Sequence, residues 1–251
     1  MIRIGAQSYT VRAFCQNERD LGRSLEKIAA IGYRYIQLSA IGPIGPKRVK
    51  ALCDQNGLEI VLTHNPEGDF LNNPAALIER QMIYGCRYAG LGYLPDRYHT
   101  PDWLPYFADD FLPGANMLRE AGMRMMYHHH AFEFTRLPEG GTMMDRLLAM
   151  IPTDLMGVTA DTYWLQAGGM DVCAWLSANA ERLPCVHLKD YAMHGAEVRM
   201  APIGAGNLDF RRILAALPET EYALVEQDDC YGASPFDCLK QSFDYLAGGV
   251  L

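Results

Sequence analysis

Short apolar runs alternate with stretches of helical periodicity along the whole chain, each pair taking about thirty residues, the pattern of parallel β/α units. Eight such repeats are read, with strands expected at residues 2–7, 35–38, 59–62, 88–91, 123–127, 156–159, 185–188 and 222–225. Each run is short and apolar, as a strand buried on both faces should be. Between them, segment 21–30 carries Leu21, Leu25, Ile28 and Ala29 at helical spacing, and segments 46–56, 103–121 and 235–246 repeat the design. Gly32, Gly57, Gly122 and Gly248 follow these four segments and are expected to be left-handed C-caps. Eight units in 251 residues predict an α/β chain folded as one (β/α)8 TIM barrel, a single domain over 1–251. A doubly wound sheet would need a glycine-rich phosphate loop after the first strand, and SYTVRAF offers none. Gly204, Gly206 and Asn207 in APIGAGNLDF lack the strand-to-helix context of such a loop.

Composition narrows the function classes. With 49% hydrophobic and 21% charged residues the chain reads as an ordinary globular protein with ample core. A net charge of −8 argues against a phosphate-backbone partner, and Lys47, Arg48 and Lys50 read as a solvated helix face, so no nucleic acid is expected. The seven cysteines contain no CxxC pair, which fits neither a disulfide framework nor a zinc knuckle. A reducing compartment follows, with Cys53, Cys86 and Cys185 as small buried hydrophobes. MIRIGAQSY reads directly as a strand and no apolar run reaches membrane length, so the chain is read as cytoplasmic with no membrane contact. Aromatic and Met residues in 93–111 serve either as the interface of a homodimer or as packing on the barrel.

The chemistry concentrates at the strand ends. In MMYHHHAFEF an apolar run leads into His128, His129 and His130, with Glu133 three residues on. Side chains alternate along a strand, so His128 and His130 share one face while His129 turns toward helix packing. The other strand mouths carry Gln7, Gln37, His64, Asp161, His187 with Lys189 and Asp190, and Glu226 with Asp228. Buried ionisable groups are costly unless paired or metal-bound, so a ring of them points to a site. Glu133, Asp161, His187 and Glu226 make a sensible ligand set for one divalent ion (Mn²⁺, Mg²⁺, Co²⁺ or Zn²⁺), with positions left for a sugar hydroxyl and carbonyl. Asp161 taken alone serves equally as a helix cap. Lys189 and Asp190 either orient His187 or pair with each other. Trp164 is either core or a stacking wall for a sugar ring. With Gln7, His64, His128, His130 and Lys189 it completes the expected substrate-binding set.

The motifs QSYTVR, IGYRYIQLSAIG, GLEIVLTH, YHHHAFEF, DTYWLQAGG, VHLKDY, PIGAGNLDF and ALVEQD occur in an order that resembles the xylose-isomerase-like TIM-barrel superfamily, in its sugar phosphate isomerase/epimerase branch. The resemblance runs from end to end. It implies a divalent metal held by Glu133, Asp161, His187 and Glu226. Many members place the first of these ligands directly at the fifth strand's end, where this chain has His128 to His130, so either Glu133 reaches back or a histidine replaces it. Gln37 and His129 also depart from common residues, at positions expected to lie away from the ligands. The implied activity is isomerisation or epimerisation of a keto sugar, with Glu226 or Glu133 removing a proton beside a chelated carbonyl and with Lys189 and His64 stabilising the enediolate. Two alternatives are a lyase or dehydratase acting on 3-keto-glycosides or inososes and a non-catalytic sugar-binding barrel.

Overall fold

The computed structural model describes residues 2–100 and 102–249; of the expected 1–251 span, positions 1, 101, 250 and 251 lie outside the described residues. Eight parallel strands close a barrel: β1 (Arg3–Gln7), β2 (Tyr35–Leu38), β3 (Glu59–Asn65), β4 (Tyr88–Leu91), β5 (Arg124–His128), β6 (Met156–Asp161), β7 (Cys185–Leu188) and, after a β8–β9 hairpin (Asp190–His194 and Glu197–Ala201), β10 (Tyr222–Val225). The ring runs β1-β10-β7-β6-β5-β4-β3-β2, with helices in the connections. Four of the eight barrel strands match the expected spans, the rest differ by a few residues at their ends, and the antiparallel hairpin was not expected.

The period-two alternation sorts the strands into two cores. Outward positions such as Ala6, Ile36, Ala89, Tyr127, Val158, Ala160, Leu188 and Val225 join the layer between barrel and helices. Inward positions near the strand starts, Leu62, Tyr88, Met126, Cys185, Tyr222 and Leu224, form a separate apolar plug with Val61 and the partly buried Tyr35. A register shift between Ile36 and Gln37 in the β2–β3 pairing accompanies the entry of Val61 into that plug. Further along seven of the eight strands the inward positions turn polar, Gln7, Gln37, His64, His128, Asp161, His187 and Glu226, while β4 has Gly90 there. The plug closes one end of the barrel, and the site is built on top of it.

Helix ends follow local chemistry. The helix Glu18–Ile31 is capped by the Asn17 side chain, which accepts from the Asp20 N–H at 3.0 Å. Gly32, Gly57 and Gly122 take positive φ (129°, 65° and 76°), as expected, but Gly248 sits at −77° and the next residue, Gly249, takes φ 119°. The helix expected over 103–121 starts only at Tyr106 (Tyr106–Glu120), because Pro105 belongs at a helix entry rather than in a first turn already formed. In segment 93–111, Tyr98, Phe107 and Phe111 are fully buried against the barrel, which settles their role as packing, whereas Trp103 and Tyr106 stay exposed.

Candidate metal centre

One ligand atom from each of His128, Asp161, His187 and Glu226 lies within 4.8 Å of the others, and all four residues are buried. Each stands at an inward position within one residue of the end of β5, β6, β7 or β10. Asp161 divides its labour: Oδ1 accepts from the Trp164 N–H at 3.0 Å and caps the following helix, Thr162–Ala167, while Oδ2 faces the barrel axis. Cap and ligand are therefore compatible readings of this one aspartate.

His187 tests whether a cation fits. Its Nε2–H donates to Gln37 Oε1 at 2.7 Å, which turns the Nδ1 lone pair toward Glu226 Oε2 at 3.0 Å and Asp161 Oδ2 at 3.7 Å. A lone pair facing two carboxylate oxygens demands a proton or a metal ion between them. His187 Nδ1, Asp161 Oδ2 and Glu226 Oε2 are buried atoms with no hydrogen bond of good geometry among the described residues. The donor set fits a divalent ion. Without one, burial pushes the His187 imidazole down, but the charges of Glu226 and Asp161 outweigh it and raise it to about 9.

Lys189 supplies the nearest positive charge. Its ammonium lies 2.9 Å from Glu226 Oε2, 3.1 Å from Asp161 Oδ2 and 2.9 Å from Asp228 Oδ1, and it is 1% exposed. Thr162 clamps the Lys189 backbone by donating to its carbonyl at 2.7 Å and accepting from its N–H at 2.9 Å. Burial raises the Glu226 carboxyl, yet Lys189 and His187 pull it well below the usual carboxylate range. Burial and the Glu226 charge push Asp228 up to about 6.

Glu133 does not join the cluster. The chain turns after His128, and Glu133 folds back outside the barrel wall, where it accepts from the outward-facing Tyr127 hydroxyl at 2.6 Å and from the His130 N–H at 2.9 Å. His128 takes the fifth-strand place instead. His129 packs against Phe134 and Trp175, as alternation predicts, but its Nε2 also accepts from the Asp161 N–H at 3.1 Å. Gln37 and His129 both therefore touch ligand residues, contrary to expectation. Asp190 neither orients His187 nor pairs with Lys189. Its carboxylate accepts from the N–H groups of Tyr191 (2.8 Å), Gly204 (2.9 Å), Gly206 (2.9 Å) and Leu208 (3.2 Å). The glycine loop is an anion nest whose anion belongs to the chain itself.

A cleft of about 760 Å³ opens above the cluster, lined by Glu226, Lys189, His128, His130 and His64 among others. The His64 ring stacks 5.4 Å from that of His128, and a Cβ on Gly90 or Gly92 would come within 2.9 or 2.8 Å of it, so both glycines make its room. Burial and the neighbouring His187 lower His64 to about 3. Asp161 and His187 lie fully buried and do not line the cleft. Trp164 stands behind His130 at 5.2 Å between ring centres, with Lys189 Nζ 5.5 Å over its ring. Gln7 is buried beside Gln37 in register, its Oε1 accepting from the Tyr9 N–H at 3.2 Å. Trp164 and Gln7 thus stand near the ligands rather than on the cleft wall. Tyr9, Ser39, Tyr93, Asp96, Arg97 and Asp228 also line the cleft, outside the substrate-binding set expected from the sequence. The long connection between Leu91 and Tyr106 was the available signal for Tyr93, Asp96 and Arg97.

The chain is 24% identical over 267 aligned positions to an inosose dehydratase of Lacticaseibacillus casei, covering 89% of this chain and 88% of that protein. A sugar phosphate isomerase/epimerase structure from Parabacteroides distasonis superposes with a TM-score of 0.82 at 20% identity, over 99% of this chain and 94% of that one. An L-ribulose 3-epimerase structure gives 0.72 at 16% identity, over 100% and 95% of the two chains. No helix among the described residues is long and apolar enough to cross a membrane. The sequence pattern of one family matches residues 25–229, and with that span, the closed eight-strand barrel and the polar ring at its C-terminal mouth, the chain belongs to the xylose isomerase-like TIM barrel family.

Proposed function

We propose that the chain is a metal-dependent enzyme that removes a proton from the carbon beside a carbonyl in a polyhydroxy ketone, a keto sugar or an inosose, and that a dehydration follows, in which a C=C bond forms as the hydroxyl on the next carbon takes up a proton and leaves as water. The observation that carries this is the convergence of His128, Asp161, His187 and Glu226 beneath an open cleft. Two imidazoles and two carboxylates are a more borderline donor set than the three oxygens and one nitrogen expected, which favours Mn²⁺, Co²⁺ or Zn²⁺ over Mg²⁺. A divalent ion bound by these four residues supplies Lewis acidity toward the substrate carbonyl.

The chain's own groups do the rest. Glu226 is the one carboxylate of the cluster that lines the cleft, and it is held ionised, so it is the base. The Lys189 ammonium beside it stabilises negative charge developing on the substrate oxygens. His64 and His130 each carry a buried ring nitrogen without a partner among the described residues, placed to hold substrate hydroxyls. Epimerisation needs a second base across the substrate. With Glu133 outside the wall, the other carboxylate beside the centre that lines the cleft, Asp228, is tied to the Lys189 ammonium at 2.9 Å, and dehydration by a single base fits better. The similarity to inosose dehydratases supports the same choice. Epimerisation is the second reading, favoured by His64, whose neutral imidazole lines the cleft and would serve as the second base.

The test is bound-metal content by elemental analysis, followed by proton NMR of inosose and keto-sugar candidates in D₂O. About one ion per chain, solvent exchange at the carbon beside the carbonyl and an unsaturated product are expected. Exchange without dehydration moves the assignment to epimerisation. A chain that binds metal and sugar but exchanges nothing is a binding barrel, and the enzyme reading is then wrong.

A further inference from the structure

Lys189 sits where a metal ion's charge belongs. The oxygens it touches, Asp161 Oδ2 and Glu226 Oε2, are the same two that face His187 Nδ1. An ion bonded to Glu226 Oε2 at about 2.0–2.2 Å would lie within about 5 Å of an ammonium that stays 2.9 Å from the same oxygen, and the two cations repel. The repulsion acts in a buried site where water screens little. Asp228 offers the alternative. It lies outside the four-residue ligand group, its side chain is 26% exposed at the cleft, and its Oδ1 and Oδ2 stand 2.9 and 3.1 Å from the same Nζ. The Trp164 ring, 5.5 Å from Nζ, backs the lysine.

We propose that Lys189 is the exchangeable counter-cation of the centre: in the metal-free chain it holds Asp161 and Glu226 together, and on metal entry its ammonium withdraws onto Asp228 alone. This rests on the metal-centre reading above. It makes Asp228 a positioning residue that promotes metal binding through the lysine rather than as a ligand. The withdrawn ammonium still borders the cleft, so the positive charge is available to substrate only once the centre is loaded.

The test is a double-mutant cycle on Mn²⁺ affinity, measured by calorimetry on metal-stripped protein: wild type, Lys189→Gln, Asp228→Asn and the double variant. Asp228→Asn should weaken Mn²⁺ binding about tenfold, because the lysine loses its retreat. Lys189→Gln should tighten binding, and in its background Asp228→Asn should change affinity by less than about twofold. Equal effects of Asp228→Asn in both backgrounds would mean that Asp228 acts by its own charge, and the exchange is then wrong. Should Lys189→Gln fold poorly, crystal structures of the stripped and Mn²⁺-loaded wild type decide. Nζ should leave both Asp161 Oδ2 and Glu226 Oε2 and keep both Asp228 oxygens, and an Nζ still on either ligand carboxylate overturns the proposal. A wild-type chain that takes up no divalent ion sinks the metal-centre reading itself, whereas uptake with additive effects overturns the exchange alone.

Discussion

The two ends of the barrel are made from the same strands and obey opposite rules. At the N-terminal end the inward side chains Leu62, Met126 and Leu224 are apolar and fully buried, and the Tyr88 hydroxyl at the plug's edge donates to Glu221 at 2.7 Å. At the C-terminal end the inward side chains are polar and incompletely satisfied. Apart from Gln81 and Arg124, every buried side-chain atom found without a hydrogen-bond partner among the described residues belongs to the C-terminal half of a barrel strand or the segment just after it. A buried polar atom left open costs stability, so its persistence at one end alone marks where a ligand completes the structure. One end is built to be finished by itself, the other by something it binds.

The largest expected effect separates these ends by function. Glu226→Gln should lower solvent exchange at the substrate carbon about 10³-fold, measured by NMR, with the fold retained by circular dichroism; near-wild-type exchange would assign the base elsewhere. Leu224→Ala, two residues earlier, should do the reverse. It should cost about 3 kcal/mol in urea denaturation and leave metal stoichiometry intact. Loss of metal in that variant would break the division between the ends.

Acid should expose the open end next. Burial lowers His129 to about 4, although the Asp161 charge opposes this. The unfolded chain takes up this proton near the ordinary histidine value and the folded chain only at about 4. The unfolded state therefore binds more protons between those values, and stability present at pH 7 is lost as pH falls from about 6.5 to 4, on the order of 3 kcal/mol for this residue. Burial lowers His64 to about 3 and His130 to about 4, and both act in the same direction. Urea midpoints of metal-free His129→Gln should fall less steeply over that window than those of wild type. The smallest effect tests the residue that changed sides. Glu133→Gln should cost about 1 kcal/mol and keep full metal content, and loss of the metal would restore Glu133 as a ligand.

How much of this was legible depends on whether a rule of chain geometry acts locally. The strands were readable because apolar runs stop at Gly, Pro or polar residues, and Asp161, His187 and Glu226 stood out because they end or follow such runs. Alternation also placed His128 inward. What alternation cannot follow is the chain after the strand stops: Ala131 turns helical at φ −77° and ψ −30°, and the short turn carries Glu133 back over Tyr127. The bond between Gln37 and His187 joins residues 150 positions apart and exists only because the ring closes. Gly204 and Gly206 looked like an incomplete ligand loop because the sequence could not show that Asp190 is the anion they bind.

That nest has a consequence for engineering. The four N–H groups on Asp190 fix the base of the β8–β9 hairpin against the strand that carries His187, while residues 193–198 at its tip are exposed. Met193, at the edge of the tip, is tied to that base by its N–H, which donates to Asn207 Oδ1 at 2.8 Å, and the turn beyond it is open to solvent. The turn at Gly195 is therefore the place to insert a fluorescent reporter or an affinity handle, and even to open the chain for circular permutation, with the centre left in register.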